Sequence, residues 1–292
     1  MATAGQWVAG ARPRTLPAAA ASVVAGTGAD VGAGGARPAQ ALLALVVALA
    51  LQVGVNFAND YSDGIRGTDA DRVGPLRLVG SGAASPASVK RAAFAALGVA
   101  GLAGLVLAAL TAWWLVAVGA ACILAAWGYT GGPRPYGYAG LGEVFVFVFF
   151  GPVAVCGTTY VQTRHLTAAA VTCGVIMGLF ITALLVTNNL RDVPTDAEAG
   201  KVTLAVKIGE RRSRWLYAVL MAAGFALTVV LAVTTSPWLL LGLLAVPAAV
   251  RALRPVLANA SGRALIPALA ATGGATLICS VGLLAGFALA AV

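Results

Sequence analysis

The chain has 292 residues, of which 60% are hydrophobic and only 10% charged, with a mean hydropathy of +0.91. Soluble domains carry roughly 25% charged residues, so the composition excludes a water-soluble protein. The net charge of +9 does not point to nucleic acid either, because no basic run is interleaved with aromatics in a polar module.

Leucine, valine and alanine fill runs near the ~20 residues that cross a bilayer as a helix, without the alternation of an outer-membrane barrel. The reading is an all-α polytopic membrane protein with nine transmembrane helices. They fall at about 16–33, 39–58, 90–110, 113–130, 141–162, 166–187, 214–234, 237–257 and 266–290. Arg12 and Arg14 ahead of the first run mimic a signal peptide, but Pro17 interrupts the run and eight further spans follow. Two connections are long, 59–89 and 188–213, and hold most of the acidic residues. The others are short turns marked by Gly131-Gly132-Pro133 or Ser236-Pro237. Gly174-x-x-x-Gly178 and Gly282-x-x-x-Gly286 predict close helix approach.

Cys122, Cys156, Cys173 and Cys279 stand singly in apolar runs and form no CxxC pair, so they read as small hydrophobes. His165 is the only histidine. Thiolate and imidazole metal chemistry are thereby set aside. Counted over alternating connections, only Arg37 and Arg164 of the 19 Lys and Arg fall on one side. That asymmetry predicts a multi-pass protein of the cell inner (plasma) membrane with a cytoplasmic N-terminus and both acidic connections cytoplasmic.

The first connection opens with Asn59-Asp60-Tyr-Ser-Asp63 and continues through Arg66 to Asp69 and Asp71. The second opens with Asn188-Asn189-Leu-Arg191-Asp192 and continues through Asp196 to Lys201. Each holds Asn-x-x-x-Asp at an offset of 129 residues (59 to 188, 63 to 192), which suggests two four-helix repeats. Residues four apart share a helical face, so Asn59 and Asp63 form one stripe and Asn188, Asp192 and Asp196 another, with Pro194 expected to end or kink the second helix. An aspartate at mid-bilayer costs roughly 2.5–3.5 kcal/mol, which places these at helix ends facing a polar cavity. Carboxylates and amides without thiol or imidazole make a hard oxygen site suited to Mg²⁺ and substrate phosphates. The interleaved Arg66, Arg77, Arg191 and Lys201 suit a diphosphate. Gly200-Lys201 is no P-loop, and the Asp60–Asp71 run lacks EF-hand spacing. Solvated loop charges are the bland alternative, and two matched connections on one side weigh against it.

At these residues the sequence resembles the UbiA superfamily of intramembrane aromatic prenyltransferases, over nearly its whole length and closest to the dihydroxynaphthoate branch. The motifs are Ala11-Arg-Pro-Arg-Thr-Leu-Pro17, Asn59-Asp-Tyr-x-Asp63, Arg66-Gly-x-Asp69, Gly74-Pro-Leu-Arg77, Tyr129-Thr-Gly-Gly-Pro133, Gly140-Leu-Gly-Glu143 and Asn188-Asn-Leu-Arg-Asp192-x-x-x-Asp196 with Gly200-Lys201. Gly67 stands where an Asp is commoner in the superfamily, a departure typical of the naphthoate branch.

The resemblance implies a single nine-helix domain around a cavity open sideways to membrane lipid. It implies Asn59, Asp60, Asp63, Asp69, Asp192 and Asp196 as Mg²⁺ ligands, and Asp63, Asp192, Asp196 and Lys201 as the catalytic set. Arg14, Asn59, Asp60, Arg66, Arg77, Tyr129, Arg134, Tyr138, Asn188, Asn189 and Arg191 are the implied substrate contacts, with Arg14 placed for the acidic aromatic acceptor. The implied reaction transfers a prenyl group from polyprenyl diphosphate to dihydroxynaphthoate with loss of CO₂. Tyr61, Trp127, Tyr129, Tyr138, Phe145 and Phe149 are candidates to stabilise an allylic cation. Another acceptor (4-hydroxybenzoate, haem or a glycerophosphate lipid) keeps the same fold. A secondary transporter is the alternative of another class, but its acids belong at the bilayer midplane.

Overall fold

The computed structural model describes residues 2–33, 35, 37–68 and 76–292, and Asp69 lies outside them. Helix α1 (Ala4–Gly10) opens on a capping box in which Thr3 and Gln6 satisfy each other's backbone N–H groups. A single tight turn at Pro13–Thr15 then leads into α2 (Leu16–Gly32). There follow α3 (Pro38–Arg66), α4 (Pro86–Leu110), α5 (Leu115–Gly128), α6 (Gly142–Thr163), α7 (Ala168–Glu198), the short α8 (Leu204–Ile208), α9 (Glu210–Thr234), α10 (Pro237–Leu257) and α11 (Gly262–Ala290).

Among the described residues seven helices (α3, α4, α6, α7, α9, α10 and α11) are long and apolar enough to cross a membrane. The other two expected spans are the shorter helices α2 and α5, of 17 and 14 residues. No strand interrupts the series among the described residues. Large apolar side chains such as Leu102 and Val233 remain exposed on helices whose opposite faces are buried, which is how a bundle presents itself to lipid rather than water. This is a multi-pass membrane protein.

Two helices run past their apolar stretches. The second expected span stops at residue 58, but α3 continues to Arg66. Likewise α7 continues through Pro194 to Glu198. The long connections are therefore 67–85 and 199–209, and both Asn-x-x-x-Asp motifs are helical. Hydropathy marks where a helix leaves the hydrocarbon, not where its hydrogen-bond ladder stops. Gly67 ends α3 in the left-handed conformation (φ 74°), which costs a side-chain-bearing residue roughly 1–2 kcal/mol. That requirement explains glycine at this position.

In chain order α3 is the second of α2–α5, and α7 is the second of α6, α7, α9 and α10, so the helix order keeps the expected parallel. The last helix, α11, packs against both α2 and α10 and closes the bundle onto its first span. Small residues make this possible. A Cβ at Gly286 would stand 2.6 Å from the Trp238 carbonyl oxygen, and one at Gly178 2.9 Å from that of Phe147. Helix α6 widens into a π-helical turn at Phe149–Val153, around Pro152. The Ser22 hydroxyl of α2 donates to the Phe150 carbonyl there, at 2.5 Å.

Candidate active site

The N-terminal motif is bolted to α3. Asn56 donates to the Ala11 carbonyl at 2.9 Å and to Thr15 Oγ1 at 3.0 Å, while Gln52 donates to Thr15 at 3.3 Å. One turn further on, the buried Asp60 accepts the backbone N–H groups of Leu78 (2.7 Å) and Val79 (3.0 Å). Both of its oxygens thus hold the 76–80 segment in place, which delivers Arg77. Asn59 Oδ1 accepts from the buried Thr130 hydroxyl at 2.7 Å.

Asp63 is the centre of the site. Its Oδ1 accepts from the Tyr138 hydroxyl at 2.8 Å, and its Oδ2 faces Arg77 Nη2 at 3.4 Å and Lys201 Nζ at 3.8 Å. Lys201 Nζ also lies 3.8 Å from Asp196 Oδ1 and 5.4 Å above the Tyr138 ring. One ammonium thereby ties the α3 motif to the α7 motif. The turn after α7 places it: Gly200 adopts φ 70°, and the Lys201 N–H returns to the Asp196 carbonyl at 2.8 Å. Asp192 pairs with its own neighbour, accepting from Arg191 Nε at 2.7 Å and Nη2 at 2.6 Å.

The 129–141 connection is clamped over this cluster. Arg66 donates to the Thr130 carbonyl and, at 2.6 Å, to that of Gly132, and its guanidinium lies 5.1 Å from the Tyr138 ring centre. Lys207 donates to the Ala139 carbonyl at 2.6 Å from the other side. Burial, and next the charge of Asp63, raise the Tyr138 phenol above its ordinary pKa, so it stays a donor to that carboxylate. Tyr129 is raised likewise, first by burial and then by Glu143. From here an aromatic column runs into the bundle. Tyr129 meets Tyr136 edge-on at 5.5 Å, Tyr136 stacks on Phe145 at 3.9 Å, and Phe145 on Phe149 at 6.0 Å.

The structure thus brings Asp63, Arg77, Tyr138, Asp196 and Lys201 together, with Asn59 and Asp192 on the flanking turns. It leaves Arg14 and Arg134 exposed and without an ion pair to the cluster, and it uses Arg66 as a clamp. Asn188 is half-buried, while Asn189 donates to Glu143 Oε1 at 2.9 Å. Sequence reasoning quoted Glu143 only inside a motif and gave it no role. The signal was available: an acid in the first turn of a span needs a partner, and its second oxygen, Oε2, is buried with none.

Residues 16–266 match the UbiA prenyltransferase family. The chain belongs to that family. It is 58% identical over 262 residues to the 1,4-dihydroxy-2-naphthoate octaprenyltransferase of Mycobacterium tuberculosis, covering 90% of this chain and 89% of that one. It is 39% identical over 260 residues to the Escherichia coli protein of the same name, covering 86% and 84%. Among solved structures, a UbiA homolog from Archaeoglobus fulgidus bound to GPP and Mg²⁺ superposes with a TM-score of 0.68 at 14% identity, over 98% of this chain and all of that one. A UbiA homolog from Aeropyrum pernix K1 in its apo form gives 0.69 at 14% identity over 91% and 96%.

For this UbiA-family chain the donor set suits a hard cation. Carboxylate and amide oxygens stand on two helix ends, and among the described residues no three acidic, Cys or His side chains converge into a closed metal cage. A Mg²⁺ held by one or two carboxylates completes its shell with water and substrate phosphate oxygens, so an open, two-sided site fits it better than a closed one.

Proposed function

We propose that this chain transfers a polyprenyl group from its diphosphate to 1,4-dihydroxy-2-naphthoate with loss of CO₂, giving the demethylmenaquinol of menaquinone biosynthesis. The observation that carries the donor half is the Asp63–Lys201–Asp196 bridge, with Arg77 on Asp63. Acids and bases alternate there, a charge pattern suited to a metal-bound diphosphate. The acceptor rests on the relatives that share one reaction name at 58% and 39% identity over most of the chain.

In this reading Asp63, Asp192 and Asp196, helped by Asn59, would hold Mg²⁺, which when bound would supply positive charge against the diphosphate. Lys201 and Arg77 turn from their carboxylates to the diphosphate oxygens and neutralise charge as the allylic C–O bond breaks. Tyr138 fixes the rotamer of Asp63 throughout. The prenyl chain lies along the Tyr136–Phe145–Phe149 column, whose ring faces attract the developing allylic cation. Enclosure by the bundle keeps water from that carbon. The electron-rich acceptor ring attacks at the carbon that bears its carboxylate. The diphosphate leaves with the C–O electron pair, and loss of CO₂ returns a pair to the ring and restores its aromaticity. The Lys and Arg asymmetry supports a site facing the cytoplasm, with the N-terminus on the same side.

The test is turnover by purified protein supplied with Mg²⁺, a long-chain prenyl diphosphate and dihydroxynaphthoate. Release of CO₂ together with a prenylated naphthoquinol is expected. Turnover with 4-hydroxybenzoate alone would overturn the acceptor, and no turnover with any aromatic acceptor would overturn the reaction.

A further inference from the structure

An accessible cavity lies away from the acidic cluster. It is a cleft of about 390 Å³ lined by Arg211, Arg214 and Trp215 of α9 and by Leu257 and Asn259 at the end of α10. Its floor is built deliberately. Arg214 is buried, donating to the Val256 and Ala260 carbonyls at 2.8 Å each and to Glu210 at 2.8 Å, so the 256–260 turn is pinned against the first turns of α9. Asn259 in that turn holds φ 60°, a conformation rare outside glycine. The rim is different in kind: Arg211 is exposed and has no ion pair among the described residues.

Charge in this part of the chain is unbalanced. From residue 202 to the C-terminus there are seven basic residues and one acid, Glu210, and Glu210 is already taken by Arg214. Arg211 also sits in the first turn of α9, where the positive end of the helix dipole adds to its field. Four residues on, along the same face, comes Trp215, 59% exposed, and across the cleft Leu257, 41% exposed. A cationic mouth thus passes within one helical turn into an aromatic and aliphatic wall at the boundary of a membrane-spanning helix. A free phosphate would use the mouth and leave the wall idle. An anionic lipid uses both.

We infer that this cleft binds the headgroup of an anionic glycerophospholipid. The phosphodiester meets Arg211 and the Asn259 amide, and the glycerol and upper acyl chains lie on Trp215 and Leu257. The lipid then bridges α9 and α10, continuing on the outside the bracing that Arg214 performs within. Basic pockets between spans are the expected seats for such headgroups.

The test is native mass spectrometry and thermal unfolding of the detergent-purified full chain with phosphatidylglycerol, phosphatidylcholine or inorganic phosphate. Phosphatidylglycerol should be retained and raise the Tm, and the other two should not. Arg211→Gln should weaken phosphatidylglycerol binding roughly fivefold, the increment of one juxtamembrane arginine, and adding Trp215→Ala should weaken it further. Arg212→Gln removes the same charge from an exposed neighbour outside the cleft and should leave binding nearly unchanged. Equal losses from Arg211→Gln and Arg212→Gln would overturn the site in favour of diffuse surface charge. Equal stabilisation by phosphatidylcholine, or by inorganic phosphate alone, would overturn the anionic-lipid assignment. None of these readouts involves the prenyl-transfer reaction, so they stand apart from the function proposed above.

Discussion

Replacing Lys201 by methionine keeps most of the side-chain volume and removes a charge that the two motifs share. Each Lys201–carboxylate approach of 3.8 Å is worth roughly 4 kcal/mol of gross attraction at an effective dielectric of about 20. The Asp63 and Asp196 oxygens it bridges can be no more than about 8 Å apart, where like charges repel by roughly 2 kcal/mol on the same scale. Lys201→Met therefore leaves that repulsion less compensated, with Arg77 still on Asp63. Two consequences follow with opposite signs. Turnover should fall by roughly 10²–10³, the usual loss when one group stabilising developing anionic charge is removed. The rise in Tm on adding Mg²⁺ should become larger than in the parent protein, because a divalent cation then relieves a repulsion that the ammonium had relieved before. The assay is kcat and KM for prenyl diphosphate, together with thermal unfolding with and without Mg²⁺. Wild-type turnover with an unchanged Mg²⁺ shift would refute the reasoning, since it would mean that Lys201 touches neither the charge balance nor the leaving group.

Tyr138→Phe removes the 2.8 Å hydrogen bond to Asp63, a charge-assisted contact typically worth about 1.5–3 kcal/mol; steady-state kinetics should show a raised KM for prenyl diphosphate and reduced kcat. Because burial and Asp63 raise the Tyr138 pKa in the folded state, its phenol stays protonated where an unfolded tyrosine ionises, near pH 10. Its contribution to stability is complete below that pH and is lost as pH rises beyond it, so Tm of the parent should decline more steeply above about pH 10 than Tm of Tyr138→Phe. Asp60→Ala leaves two backbone amides unmatched at roughly 1–3 kcal/mol each, and should be seen first as a fall in Tm rather than as a selective kinetic defect. Glu143→Leu strands the buried Asn189 amide and should lower Tm by the destabilisation of one unmatched group, about 1–3 kcal/mol, whereas Glu143→Gln keeps an acceptor oxygen and should hold Tm close to the parent.

Much of the architecture was legible because each level of the sequence agreed. Apolar runs fixed the spans, the spacing of Asn59 to Asp63 and of Asn188 to Asp192 and Asp196 fixed two helical stripes, and the one-sided Lys and Arg placed both stripes together. What escaped was the work of individual side chains. Asp60 and Asp63 are alike in sequence, but Asp60 turns to the amides of Leu78 and Val79 while Asp63 meets Tyr138, Arg77 and Lys201. No periodicity distinguishes them, since the difference lies in which distant segment packs on each flank of α3. Arg66 had the charge for a diphosphate contact, yet its guanidinium closes on backbone carbonyls of the next connection. Arg14 and Arg134 are exposed, with no ion pair to the cluster among the described residues. Pro194 was expected to end or kink α7, and the helix runs on to Glu198 past it. Glu143 and Asn189 were each visible, but a contact between residues 46 positions apart is a tertiary fact.

The π-helical turn at Phe149–Val153 gives α6 two independent azimuths. A regular α-helix locks every side chain to one angular sequence, so the face that presents Phe145 and Phe149 would dictate the face that meets α2. One extra residue in the turn breaks that lock by about 100°, a single residue's rotation at 3.6 per turn. Upstream of it the helix is free to satisfy chemistry. Downstream, Thr159 donates to the Gly26 carbonyl at 2.8 Å and satisfies packing. Deleting one residue within the turn would force a choice between those two alignments, so a length change there is a sharper probe of the site than most substitutions inside it.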